Sequence, residues 1–191
     1  MGLFRRMKLA HTVDISKAID LKNRLNGHTE MVNWLFSATG DYAAGNAAAE
    51  MFVRDLFDFA LYIIKADDII TKDEVEMFNI LFGVNISKRH IMDFLKNRSD
   101  ADWALFANSL PASIALIAEI EKEDTKQTGY VEVPMSITSG LIDLYVDLGT
   151  LLTVADGDIN DKERESYRAF VSRLFEFLDD EKAEVLESFE Q

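Results

Sequence analysis

"ADGDINDKERESY", Ala155 to Tyr167, has a counterpart earlier in the chain, "ADDIITKDEVEMF", Ala66 to Phe78. At a constant offset of 89 residues the two share Ala, Asp, Ile, Glu and Glu, and Phe78 falls opposite Tyr167. The register extends backwards, since Asp58 stands 9 residues before Asp67 and Asp147 stands 9 before Asp156. Each copy follows a long apolar stretch, "MFVRDLFDFALYIIKA" or "SGLIDLYVDLGTLLTVA", and leads into an amphipathic one. After the turns, apolar side chains recur at i, i+3, i+4 and i+7: Phe78, Leu81 and Phe82 in the first copy, Tyr167, Phe170, Val171, Leu174 and Leu178 in the second. That spacing lines one face of a helix, so these aromatics read as core. The repeated unit is a helical hairpin, present twice.

The rest of the chain agrees with an all-α fold. Its 191 residues are 48% hydrophobic and include only 2 prolines and 9 glycines, enough to bury a core and few of the turn residues a sheet would need. The expected architecture is a bundle of two pseudo-twofold-related helical hairpins with extra N-terminal and central helices. Residues 1–40 form a basic N-terminal helical segment and 41–191 the helical domain, with repeat halves at about 41–97 and 135–191. Between the halves, "ISKRHIMDFLKNRSDADWALFANSLPASIALIAEIEKE" reads as two or three short helices broken near Asn97–Ser99 and at Pro111. "DTKQTGYVEVP" reads as the longest non-helical piece, extended at Tyr130–Val133 before Pro134.

The absence of cysteine excludes disulfides, thiolate nucleophiles, iron–sulfur clusters and cysteine zinc sites. A net charge of -14 argues against nucleic acid and towards cations or basic proteins. The charge is uneven. Residues 1–40 carry +3, with Arg5, Arg6, Lys8, Lys17, Lys22 and Arg24 against Asp14, Asp20 and Glu30, and the remainder carries -17. The basic opening lacks the apolar run of a signal peptide, no stretch reads as a membrane span, and Arg6 occupies the position where a myristoylation pattern needs Ser or Thr. A cytoplasmic location is the expectation.

Each turn carries a helix-start signal, "TKDE" (Thr71–Glu74) and "NDKE" (Asn160–Glu163), in which the cap side chain and the later glutamate satisfy each other's backbone N–H. Capping accounts for both glutamates without a ligand. It leaves Asp67, Asp68 and Asp73 in one turn and Asp156, Asp158 and Asp161 in the other. Two carboxylates about 6 Å apart repel by roughly 3 kcal/mol at an effective dielectric near 20, so such a cluster must be solvated or neutralised. Oxygen-only ligands suit a hard divalent cation, Ca²⁺ or Mg²⁺. An EF-hand is rejected: with Gly157 as its invariant glycine, Asp156, Ile159 and Glu163 fit, but Leu152 and Val154 stand where the first two carboxylates belong. A site would therefore need ligands from both turns.

The repeated turn resembles the tellurite-resistance protein TerB and the wider TerB-like domains, whose two hairpins each carry an "(A/S)DG-x-(I/V/F)-x-x-x-E" turn. "ADGDINDKE" fits that pattern throughout, and "ADDIITKDE" fits with Asp68 in place of the glycine; the similarity covers roughly Asp41 to Leu178. It implies an all-helical fold with pseudo-twofold repeats and an acidic surface that holds divalent cations. Carried over by position, this points to Asp67, Glu74, Asp156 and Glu163, with Asp158 as a neighbour; with Asp68 from the first turn these are the metal candidates. The family further implies a role in chemical-stress response beside membrane proteins of the TerC type. Fold likeness by itself does not transfer that role.

Asp58 and Asp147 read as buried polar groups bonded to a neighbouring helix rather than as ligands. His11, His28 and His90 are isolated and show no metal-ligand spacing. No phosphate loop or nucleophile motif is present, and no organic cofactor is expected. The basic start, with Leu3, Phe4, Met7 and Leu9 among its cations, suits peripheral contact with an anionic membrane or packing on the acidic body. Three readings follow: a non-enzymatic module binding a divalent cation or a protein partner at the turns, a helical interaction scaffold without metal, and a metal-dependent hydrolase using the same carboxylates.

Overall fold

The computed structural model describes residues 15–38, 42–66, 69–128, 135–153 and 161–187. Eight helices and no strands occur among them: α1 (Ile15–Ala38), α2 (Tyr42–Lys65), α3 (Lys72–Phe82), α4 (Lys88–Lys96), α5 (Asp100–Asn108), α6 (Ala112–Thr128), α7 (Ser136–Thr153) and α8 (Asp161–Glu187). The central run divides into three helices at the expected breaks. Ser99 starts α5 by accepting from the Asp102 N–H, its own N–H bonds the Asp102 carboxylate, and Pro111 directly precedes α6. Those bonds from Ser99 hold the Asp102 carboxyl below the usual range.

One expectation is corrected: Asp124–Thr128 is helical, not part of the connector. α6 runs to Thr128, and Thr125 and Thr128 donate their hydroxyls back to the carbonyls of Glu121 and Asp124 within it. The expected extended segment at Tyr130–Val133 lies outside the described residues. The stretch Asp100–Thr128 passes the length and hydropathy test for a membrane span, which its sequence had not suggested. In the fold it is two helices, α5 and α6, with Trp103, Ile114, Ile117 and Ala118 buried.

The core is one cluster built on α2 and α7. Phe52, Phe59, Tyr145 and Phe170 are almost fully buried and meet ring to ring, with Phe59 5.1 Å from Tyr145 and 4.7 Å from Phe170 between centroids. The expected core faces after the turns are in place: Phe78, Leu81, Phe170, Val171, Leu174 and Leu178 are buried, and Phe82 and Tyr167 pack against them half-covered. Helix α1 belongs to the same cluster through Leu21, Leu25, Val32, Leu35 and Phe36. The two post-turn helices differ in what they cover. α8 lies on α7, whereas α3 packs more extensively on α1 than on α2.

Long-range polar contacts join the helices. Lys122 on α6 is buried and reaches Glu119, Glu181 and Glu184 at 3.1, 3.0 and 3.2 Å, tying α6 to α8. Burial alone would lower its pKa, but the three carboxylates outweigh that and raise it well above the ordinary lysine value. Glu121, one residue earlier, caps the start of α7. Its carboxylate accepts from the Ile137 and Thr138 N–H groups, both at 2.8 Å, and from the Thr138 hydroxyl at 2.7 Å. Asp55 on α2 does the same for α6, accepting from the Ser113 N–H and hydroxyl at 3.0 and 2.6 Å. Buried helix starts carry unpaired N–H groups, so a carboxylate from another helix both satisfies them and meets the positive end of the helix dipole.

Candidate functional site

Helix α3 begins with the capping box its sequence announces. Thr71 accepts from the Glu74 N–H at 3.2 Å, and one Glu74 carboxylate oxygen accepts from the Thr71 N–H at 2.6 Å and its hydroxyl at 2.9 Å. Glu74 is buried, and this oxygen is committed to the cap. Replacing Thr71 with Ala is expected to lower unfolding free energy by about 1 kcal/mol, the usual worth of an N-cap. Urea denaturation followed by circular dichroism reads the loss, and an unchanged midpoint would remove the structural account of Glu74.

The remaining metal candidates are placed less completely. Asp67, Asp68, Asp156 and Asp158 lie outside the described residues, as do Asn160 and Gly157. Glu163 stands in the first turn of α8, and its side chain is outside the description. Among the described residues no group of three or more His, Cys, Asp or Glu side chains is arranged to hold a metal ion.

The described helices fix where the two turns begin. Phe52 and Phe59 both reach the Tyr145 ring, and Phe59 Cζ would stand 3.3 Å from a Cβ on Gly149, so α2 and α7 run side by side in the same direction. Phe59 and Leu148 are equivalent under the 89-residue offset, so the contact joins matching levels of the two copies. From there α2 continues about 10 Å to Ala66 and α7 about 6 Å to Thr153, both towards one end of the bundle. α1 runs the opposite way against α7, because Arg24 pairs with Asp147 and His28 lies over Gly140. The start of α1 is therefore at that same end.

Asp58 and Asp147, also equivalent in the repeat, each hold an arginine from elsewhere in the fold. Asp58 is mostly buried and pairs with Arg98 at 2.6 Å, while Arg98 lies over the Trp103 ring. Asp147 pairs with Arg24. Both bond to neighbouring segments, but the expected burial holds only for Asp58, since the Asp147 side chain is 44% exposed, and Arg98 lies between α4 and α5 rather than on a helix.

No protein-family model, curated protein or solved structure matches this chain. What the geometry offers beside the turns is a cleft between α1 and α7, close to the end of α7. It has a volume of about 340 Å³, an apolar floor of Leu21 and Leu151, and a rim of Lys17, Asp20, Arg24 and Asp147. Its charges balance, and Arg24 and Asp147 are bonded to each other. The histidines hold no such site: His90 accepts from the Ser87 N–H as a cap of α4, His28 sits half-buried against α7, and His11 is outside the described residues.

Asp55, Glu121 and Lys122 are the polar residues that sequence reasoning missed. Each sits on a helix among other charged residues and reads there as a solvated side chain. No local pattern marks Glu121 as the cap of α7, because it lies 16 residues before the N–H it accepts from.

Proposed function

We propose that this chain is a TerB-like helical module that binds a divalent cation, or a basic segment of a protein partner, at its two acidic turns, and that it is not an enzyme. The observation that carries the reading is the side-by-side course of α2 and α7 at Phe59, Tyr145 and Gly149, which directs both helices into their acidic turns at one end of the bundle. Asp67 and Asp68 in one turn, and Asp156, Asp158 and Glu163 in the other, are then the proposed ligands, with Glu74 beside them. Two turns that each hold too few carboxylates for a hard cation could complete a coordination shell together. The pseudo-twofold pair of hairpins, the link to tellurite or chemical stress, the TerC-type membrane partner and the cytoplasmic location belong to this same proposal.

A second reading, an interaction scaffold without metal, is favoured by one observation: the capping box already uses a Glu74 oxygen. Calorimetric titration of chelator-treated protein with Ca²⁺ and Mg²⁺ separates the two. A cation bound only by the folded state adds about 2.7 kcal/mol of stability at a hundredfold excess over Kd. Saturable binding that disappears in the Asp156→Asn, Asp158→Asn variant supports the cation module. Heats indistinguishable from dilution leave the turns as helix caps and move the search to protein partners.

A further inference from the structure

The seam between α1 and α7 contains a histidine in an unusual position. The His28 ring lies directly on the backbone of Gly140, so that even a Cβ there would fall inside contact with Cε1 and 3.0 Å from Nδ1. Nδ1 is buried and has no hydrogen-bond partner. A neutral imidazole tolerates this, because Nδ1 then needs no donor hydrogen and the ring acts as a flat, largely apolar wedge. Protonation puts a hydrogen and a positive charge at that atom, against α7 and one turn from the Arg24 guanidinium.

We propose that His28 and Gly140 form a pH-sensitive joint between α1 and α7, closed while the imidazole is neutral and loosened when it takes a proton. The charged surroundings favour the neutral form. Burial lowers the affinity of His28 for a proton, Arg24 on the same helix lowers it further, and Asp143 on α7 opposes them more weakly. Other nearby carboxylates are committed or turned elsewhere. Asp147 is bonded to Arg24, Glu121 on α6 holds the first turn of α7, and Glu50 on α2 borders the groove beside Thr29 and Asn33. Lys22 on α1 is turned to the end of α3, where it lies against Gly83. Asp143 acts on the ring by its charge alone, since Nδ1 has no hydrogen-bond partner. The joint works whatever the acidic turns bind.

The sign follows from the lowered proton affinity. Below pH 6.5 the unfolded chain takes up a proton that the folded chain resists, so this contribution to stability is complete above pH 6.5 and is lost as pH falls through the folded value. The test is a proton NMR titration of the imidazole signals of the full chain, assigned with His28→Gln, beside urea unfolding across the same pH range. The His28 signal should titrate below 6.5, and the folding constant should fall on acidification by up to about tenfold for each pH unit of that lowering. His28→Phe, which fills the slot without titrating, should lack this extra fall, and His28→Gln serves as reference if the phenylalanine does not fit. Amide protection factors in α1 and α7, corrected for the intrinsic pH dependence of exchange, should fall at low pH in the wild type alone. A His28 midpoint at or above 6.5, or equal pH slopes with and without the imidazole, would overturn the joint.

Discussion

Replacing Glu121 with Ala is expected to lower unfolding free energy by about 4 kcal/mol, because it strands three buried donors at once. The Ile137 and Thr138 N–H groups and the Thr138 hydroxyl all point at this one carboxylate, which is itself only 6% exposed. A buried donor left without an acceptor costs roughly 1–3 kcal/mol, and the start of α7 also loses a negative charge at the positive end of its dipole. Water cannot readily replace the carboxylate, since Ile137 and Thr138 are buried as well. Domains of this size are stable by only about 5–15 kcal/mol, so the variant loses a large share of its stability while remaining measurable by urea unfolding. Glu121→Gln keeps the shape and one acceptor oxygen, and should cost about half as much. Urea midpoints for the three proteins measure the series. A loss below about 1 kcal/mol for the alanine variant would show that another group caps α7.

The second large effect is expected at Gly149, where Val should destabilise by about 3 kcal/mol through overpacking. The Tyr167 ring of α8 sets its Cδ2–Cε2 edge on Gly149, close enough that any Cβ would overlap both atoms. The ring cannot swing aside without loss. Its hydroxyl donates to the Val146 carbonyl at 3.2 Å and stands 3.2 Å from the Thr150 hydroxyl, so the tyrosine is held at both ends of its contact with α7. On the other side Phe59 closes in at 3.3 Å from the same Cβ position. Helix propensity alone would favour replacing this glycine with Ala by about 1 kcal/mol, so a destabilised Gly149→Ala would isolate the steric term. In a Tyr167→Ala background that alanine should cost much less, and thermal unfolding of the four members of this double-mutant cycle reads the coupling. Additive effects would mean that Tyr167 does not set the distance between α7 and α8.

Local chemistry made much of this fold legible. The Thr71–Glu74 capping box, the breaks at Asn97–Ser99 and Pro111, and the buried stripes from Phe78 and Phe170 onward all depend on residues within about one turn of each other. The boundary at Asp124–Thr128 was misplaced because threonines and a charged run look like a connector. In the fold Thr125 and Thr128 lie within α6 and turn their hydroxyls onto its own carbonyls.

The candidate site was legible only in its outline. Its chain order came from the repeat, but Asp67, Asp68, Asp156 and Asp158 fall outside the described residues, and the side of the bundle that both turns enter became visible only through Phe59, Tyr145 and Gly149.

What the sequence determined by itself is therefore the helical class, the Thr71–Glu74 cap and the core faces, since each follows from the backbone and from neighbours one turn away. Tertiary structure alone decided that Glu121 starts α7, that Asp55 starts α6 from 58 residues away, that α3 covers α1, and that Tyr167 rests on Gly149. A carboxylate on a helix has the same local pattern whether it faces water or the start of another helix, and only the packing of distant segments distinguishes the two.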